Sequence, residues 1–295
     1  MTANPPIVVG VDGSPSSTGA VRWAAETAAR HHAPLLLLSA VTVPVPSTMF
    51  GPPQSYFDKQ EADGERRLAE ATRFAHDSAP GGKLSVSSAV APGPAIGALI
   101  DHSRDARMVV CGSRGLGEVT GGLLGSVTSA LAHHAHSPVA VIWEWPRPTD
   151  PTAMGNVVVG VDGSPNSEPA IAVAFEEASL RGADLVAVHA WSDITLSTVQ
   201  PHNQGLPWPS IETAEHAALA ESLAGFTGRY PDVGVSTEVV QDQPVRTLLS
   251  HTDTAQLIVV GNRGRGGFTG MLLGSTSTAL LHSVQCPLLI VRGPR

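Results

Sequence analysis

The segment IVVGVDGSPSS beginning at Ile7 returns as VVVGVDGSPNS at Val157, and GSRGLGEVTGGLLGSVTSALAHHA beginning at Gly112 returns as GNRGRGGFTGMLLGSTSTALLHSV at Gly261. Two distinct segments repeating at nearly one offset make the chain two copies of one folding unit. At 295 residues, each copy is long enough for a core of its own. Domains are therefore expected at 1–145 and 156–295. The stretch PRPTDPTAMG at 146–155, proline-rich and polar, suits a linker between them.

Within each copy, short apolar runs alternate with longer stretches of helical period. Strands are expected at 7–11, 35–41, 84–90, 107–111 and 139–143, and again at 157–161, 185–189, 235–240, 257–260 and 288–291. Between the first two, Ala20, Ala24, Thr27 and Ala28 recur at helical spacing, with Ser14 or Ser16 where a cap belongs. Strands that alternate with helices and are themselves nearly continuous in apolar residues predict an α/β fold, a parallel sheet covered by helices on both faces.

Such a sheet binds ligands beyond the carboxyl ends of its strands. Both glycine-rich segments follow a strand there, and so do Asp12 and Asp162, so these features share one sheet edge. The first segment holds six glycines in the fourteen residues 112–125, just before a helix expected to start near Ser126. Glycines let backbone N–H groups converge on a ligand or let the chain take a positive φ, and a helix N-terminus adds unpaired N–H groups and partial positive charge. Together they form an anion cradle. The hydroxyls of Ser126 and Thr128, and of Ser275 and Ser277 in the second copy, are expected to be free for phosphate. The pattern is not a Walker loop, since no lysine precedes the Ser or Thr. Nor is it a dinucleotide fingerprint, since Thr120 and Thr269 stand where a third glycine belongs. A purely structural turn is the alternative, which the double occurrence of one spacing disfavours.

The spacings Gly112–x2–Gly115–x9–Gly125–Ser126 and Gly261–x2–Gly264–x9–Gly274–Ser275, together with the two VVGVDGSP openings, resemble the ATP-binding signature and first strand and loop of the universal stress protein family. The resemblance spans nearly the whole chain. It implies five strands per copy in the order 3-2-1-4-5, and a site for ATP with a divalent cation, Mg or Mn, on the phosphates. Position by position, it implies nucleotide-binding roles for Gly10, Asp12, Gly112, Ser113, Arg114, Gly115, Leu116, Gly117, Gly125, Ser126 and Val127. In the second copy it implies the same for Gly160, Asp162, Gly261, Asn262, Arg263, Gly264, Arg265, Gly266, Gly274, Ser275 and Thr276, and it sets the backbone near Ala40 and Ala190 against adenine.

Several residues admit two readings. The aspartates fit a ribose or base hydrogen bond, a metal-linked contact, or a plain helix cap. Arg114 and Arg263 fit phosphate clamps, or water-facing side chains whose backbone N–H is what matters. His133, His134 and His136 invite a metal, but the matching stretch of the second copy keeps only His282, and histidines suit a helix's last turn. Cys111 and Cys286 lack metal-ligand spacing and border apolar runs, which predicts buried small hydrophobes. The proline-rich segments 44–56 and 192–210, beside the functional edge, are candidate lids or partner surfaces.

A net charge of −8, with only Lys59 and Lys83 as lysines among 18 basic residues, argues against nucleic acid and anionic membrane as main partners. With no basic leader and no long apolar run, the protein is expected in the cytoplasm. No nucleophile elbow, zinc signature or repeated carboxylate pair supplies a catalytic set. The expected function is an ATP-binding stress sensor or regulator acting by occupancy. The alternative is a slow ATP hydrolase or phosphotransferase in which Asp12 or Asp162 positions metal and water. In the 3-2-1-4-5 order the final strands lie at sheet edges, and they are expected to be covered by pairing with one another or with a second chain, with a homodimer on top.

Overall fold

The computed structural model describes residues 4–41, 53–79, 81, 83–115, 124–143, 155–191, 208–265 and 272–293. The chain divides into two compact units, Met1–Trp145 and Pro146–Arg295. The first runs β1 (Ile7–Gly10), α1 (Pro15–Arg30), β2 (Leu35–Val41), α2 (Gln54–Ser78), β3 (Val86–Pro92), α3 (Ala95–His102), β4 (Met108–Gly112), α4 (Ser126–His134) and β5 (Val139–Ile142). Its strands are all parallel, in the order β3-β2-β1-β4-β5. The second runs β6 (Val157–Gly160), α5 (Glu168–Arg181), β7 (Leu185–Trp191), α6 (Trp208–Thr227), β8 (Val235–Gln241), α7 (Pro244–Ser250), β9 (Leu257–Gly261), α8 (Ser275–Ser283) and β10 (Leu288–Val291). Its order, β8-β7-β6-β9-β10, is the same winding.

The winding follows from where apolar residues concentrate. Ile7, Val8 and Val9 of β1 and Met108 to Cys111 of β4 are buried throughout, as strands flanked on both sides and covered on both faces must be. Strands β3 and β8, each at one end of its unit's order, depart from the expected continuous apolar run. Ser87 and Ser88 of β3, and Ser236 and Thr237 of β8, are exposed, because an edge strand has only part of its surface to bury. In the first unit α1 packs against α2 and α3 against α4; in the second, α5 packs against α6 and α7 against α8.

Ala20, Ala24, Thr27 and Ala28 of α1 are all fully buried, as their spacing predicts. Ser14 caps this helix: its side chain accepts the Ser17 N–H at 3.1 Å, and Pro15 opens the first turn. Its counterpart α5 starts later, at Glu168. The reason is local. Ser164, in the place of Ser14, donates its hydroxyl to Asp162 Oδ1 at 2.7 Å, and the cap falls to Ser167, which makes no side-chain cap bond.

Cys111 and Cys286 are both free and buried, and burial pushes each thiol up to about 12. No helix among the described residues is long and apolar enough to cross a membrane. Of the linker expected at 146–155, only Gly155 lies within the described residues, and its carbonyl accepts a bond from Gln256 of the second unit.

Candidate functional site

At the carboxyl ends of β1, β2 and β4 the first unit opens a cavity of about 330 Å³. That volume lies within the ordinary range for small-molecule sites, about 300–1,000 Å³. Val11, Leu38, Ala40, Ala95 and Leu99 give it an apolar wall, while Asp12, Arg67, Arg114 and the first turn of α4 supply polar groups. The chemistry is that of a slot for a flat apolar group beside a cradle for a charged one.

The glycine-rich loop is stapled at its stems. Ser113 donates its N–H to the Ile142 carbonyl at 2.8 Å, and Gly125 donates its own to the Ser113 carbonyl at 2.8 Å. Thr128, two residues into α4, donates its hydroxyl to the Gly112 carbonyl at 2.7 Å. The second unit repeats each staple. Asn262 N–H bonds the Val291 carbonyl at 2.7 Å, Gly274 N–H bonds the Asn262 carbonyl at 2.7 Å, and the Ser277 hydroxyl bonds the Gly261 carbonyl at 2.6 Å. This corrects the expectation for Thr128 and Ser277, whose hydroxyls brace the loop and are not free for phosphate.

What α4 and α8 leave open is backbone. Each begins after a glycine, Gly125 or Gly274, which has no side chain to cap the helix. The first intrahelical bonds are Ser129 N–H to Gly125 and Thr278 N–H to Gly274, so the N–H groups of Ser126, Val127 and Thr128, and of Ser275, Thr276 and Ser277, precede the helical ladder. Unpaired donors at a helix start, with the dipole behind them, form an anion site. The contrast with α1, which Ser14 caps, is within one unit.

Both aspartates order the turn that follows the first strand of their unit, and Asp162 also reaches the loop. Asp12 Oδ1 accepts the Ser14 N–H at 2.9 Å, and Asp162 Oδ1 accepts the Ser164 N–H at 3.0 Å. Asp162 Oδ2 accepts the Arg265 N–H of the glycine-rich loop. For Asp162 the reading as a cap of the following helix is thus only half the role, because one oxygen orders the turn and the other anchors the loop.

Gly115 and Gly264 lie directly over these carboxylates, and an added Cβ would sit 2.7 Å from Asp12 Oδ2 or Asp162 Oδ2. Neither takes a positive φ; at the site only Gly13 (φ 85°) and Gly163 (φ 70°) do so among the described residues. Gly115 and Gly264 therefore serve close approach to the aspartate, and at these two positions no positive φ is involved. Gly112 is required by packing: a Cβ there would run into the backbone of Ser16 at the start of α1.

Of the residues singled out by sequence, Gly10, Asp12, Ala40, Gly112, Arg114, Gly115, Gly125, Ser126 and Val127 all line the first cavity. Ser113 lies buried beneath it as a staple, with Asn262 as its counterpart. Arg114 is exposed and its N–H faces the Ser16 hydroxyl at 3.4 Å; Arg263 is likewise exposed. In the second unit, Gly160 pairs with Val188 and Ala190 with Val240, the register that Gly10 and Ala40 have in the first. Leu116, Gly117 and Gly266 lie outside the described residues, as do most of 44–56 and 192–210. Sequence reading missed Arg67, Ala95 and Leu99, which come from α2 and α3. Helical period was the only signal available for them.

His133 donates its Nδ1–H to the Ser129 carbonyl at 2.7 Å within its own helix. No group of three His, Cys, Asp or Glu side chains converges on a metal-sized space among the described residues.

The sequence model of the universal stress protein family matches the chain twice, over residues 4–142 and 154–292. A universal stress protein of Mycobacterium tuberculosis is 44% identical over 305 residues, covering 98% of this chain and 95% of that protein. A second from the same organism is 43% identical over 288 residues, covering 97% and 96%. Among solved structures, a universal stress protein from Archaeoglobus fulgidus superposes with a TM-score of 0.72 at 20% identity, covering 99% of each chain. At that identity the likeness is one of fold.

Proposed function

The chain belongs to the universal stress protein family, and on that premise we propose that each of its two units binds ATP and that the protein works as a stress-response regulator through nucleotide occupancy. The observation that carries the reading is the uncapped N-terminus of α4, with its open N–H groups beside an apolar slot at one sheet edge. Adenine belongs against Leu38, Ala40 and Leu99, and the phosphates against Ser126 to Thr128. In this reading the ribose falls to Asp12 in the first unit and to Asp162 in the second.

A divalent cation belongs with the phosphates in this reading. Both oxygens of Asp162 already accept bonds from the protein, and Asp12 Oδ1 accepts the Ser14 N–H. The ion would therefore be held chiefly by phosphate and water, and would supply charge neutralisation. That same engagement gives Asp162 little scope to position a hydrolytic water. The groups that face the cradle are ground-state donors, and they offer little that strengthens in a transition state. We carry a homodimer and a cytoplasmic location in the same reading, to be tested by sedimentation and by fractionation.

The testing experiment is to denature freshly purified protein and identify the small molecules released, then titrate the stripped chain with ATP. Adenine nucleotide released from the protein and rebound at a site in each unit supports the proposal. Failure of the stripped, folded chain to bind ATP overturns it. Hydrolysis faster than about one turnover per second, within the ordinary enzyme range, and lost when both aspartates are replaced, would transfer the assignment to an ATP hydrolase.

A further inference from the structure

In each unit the Asp–Gly turn at the mouth of the site is covered by an arginine, but the two arginines arrive by different routes. In the first unit Arg67 of α2 lines the cavity and arches over Gly13: a Cβ on that glycine would lie 3.5 Å from Arg67 Cδ and 3.7 Å from its Nε. In the second unit the guanidinium of Arg265, on the glycine-rich loop, covers Gly163 so closely that a Cβ there would collide with it. The exchange is reciprocal. Leu68 and Leu219 are the buried leucines that seat α2 and α6, and the residues just before them are Arg67 and Ala218. At the loop position after Gly115 and Gly264, the first unit has Leu116 and the second Arg265.

We infer that Arg67 and Arg265 are the phosphate-gripping cations of the first and second sites, one function delivered from a helix in one unit and from the loop in the other. This rests on the nucleotide reading above and names the residues that select the phosphorylated form of the ligand. A guanidinium presents forked donors that match phosphate oxygens, and it stays charged at any working pH. Neither arginine forms a salt bridge among the described residues, whereas Arg66, Arg181 and Arg246 are each paired with a carboxylate on their own helix or at its start. Arg114 and Arg263, which the sequence fits to phosphate clamps, are exposed as Arg265 is, but neither lies among the contacts over Gly13 or Gly163.

The two sites should then respond differently to their ligand. Arg67 stands on a helix of 25 residues, so its position is set before binding. Arg265 belongs to the same loop that Asp162 anchors, so loop and cation must settle together.

The test uses the full-length chain, stripped of ligand and titrated with ATP or with adenosine. Amide hydrogen exchange is followed separately in peptides spanning residues 10–17 and 160–167, which gives an affinity for each site. Arg67→Ala should weaken ATP about tenfold at the first site alone, and Arg265→Ala about tenfold at the second alone, in line with loss of one charge-assisted contact. Adenosine affinity should hold at both sites, which also shows that each variant is folded. Arg67→Lys should retain part of the ATP preference. Adding Ala218→Arg to Arg265→Ala should restore the second site by the first unit's route. Unchanged ATP affinity in Arg67→Ala, equal losses for ATP and adenosine, or no restoration by Ala218→Arg would each overturn the inference while leaving the nucleotide reading intact. A wild-type chain without ATP-dependent protection at either peptide overturns that reading, and the inference with it.

Discussion

Alanine at Gly115 tests whether the glycine-rich loop is shaped by its ligand or by its own aspartate. The added Cβ would lie 2.7 Å from Asp12 Oδ2. Carbon–oxygen contacts settle at about 3.3–3.6 Å, so the loop must retreat by roughly 0.6–0.9 Å, enough to break an anchoring hydrogen bond of the kind Arg265 N–H makes to Asp162. A hydrogen bond to a charged group contributes about 1.5–3 kcal/mol. Asp12 is only half-buried, which favours the lower end, and about 1.5 kcal/mol corresponds to about a tenfold loss of affinity. Calorimetric titration of the stripped protein with ATP should show Gly115→Ala weakening one site by that factor and leaving the other unchanged. The stringent version repeats the substitution in an Asp12→Ala background. There the clash is gone, since the next contact of the Cβ is also with Asp12, at 3.9 Å. Gly115→Ala should then add little to the loss that Asp12→Ala itself causes, a coupling typical of residues in direct contact. If the two losses simply add, the glycine answers to the phosphate or to another neighbour, and the aspartate does not set the shape of the loop.

Gly112→Ala should destabilise the fold by about 1–3 kcal/mol, as overpacking does, because its Cβ meets the Ser16 carbonyl carbon and oxygen at 2.7 and 2.8 Å. Gly261→Ala, whose nearest contact is 3.2 Å, should cost less, and thermal melting distinguishes the two. In the second unit the buried His189 has the Val161 carbonyl 2.7 Å from Nδ1 and Glu215 2.7 Å from Nε2. Glu215→Ala should therefore cost about 1–3 kcal/mol for a stranded buried polar group, and His189→Ser in the same chain should recover part of it in urea denaturation. The thiols of Cys111 and Cys286 ionise near 9.0 when unfolded and near 12 in the native protein. The unfolded chain thus loses these protons first, so stability holds below pH 9.0 and falls as pH rises toward 12. The double variant Cys111→Val, Cys286→Val should show a shallower fall in urea midpoints across that window, and an identical fall would exclude the thiols as its cause.

The strands were legible because most are short apolar runs, and even β3 and β8, which mix in Ser and Thr, lie with the other eight within two residues of the expected positions. The edge of the sheet that carries the site was legible for the same reason, since it follows from parallel strands and from Asp12 and the glycines standing at strand ends. The role of individual groups was less so. Thr128 and Ser277 occupy positions where a hydroxyl could face either the ligand or the chain, and hydrogen-bond direction is not written in residue type. The late start of α5 is of the same kind, because the serine that would cap it has a nearer acceptor in Asp162.

The positions hardest to read are those where the two copies meet one requirement with different residues. Comparing the copies with each other rewards identity, so it found the glycines and aspartates and passed over Arg67, whose counterpart is an alanine. The pair Ser39 and Gly64, against His189 and Glu215, shows the physical rule behind such differences. A Cβ on Gly64 would pack against both Val90 methyls at 3.4 Å and a Val41 methyl at 3.5 Å, with no carboxylate at this position, and the Ser39 hydroxyl is buried without a hydrogen-bond partner among the described residues. In the second unit a longer side chain on the strand is met by a carboxylate on the helix, and the polar atoms satisfy each other. The two columns are coupled, because a buried histidine on the strand without the carboxylate on the helix would strand a polar group. Arg67 and Arg265 follow the same logic at the mouth of the site, where one guanidinium over the turn suffices and its origin is free to vary. Equivalence between the copies is thus a property of places in the fold, and a substitution carried from one unit to the other should be judged with its partner column, never alone.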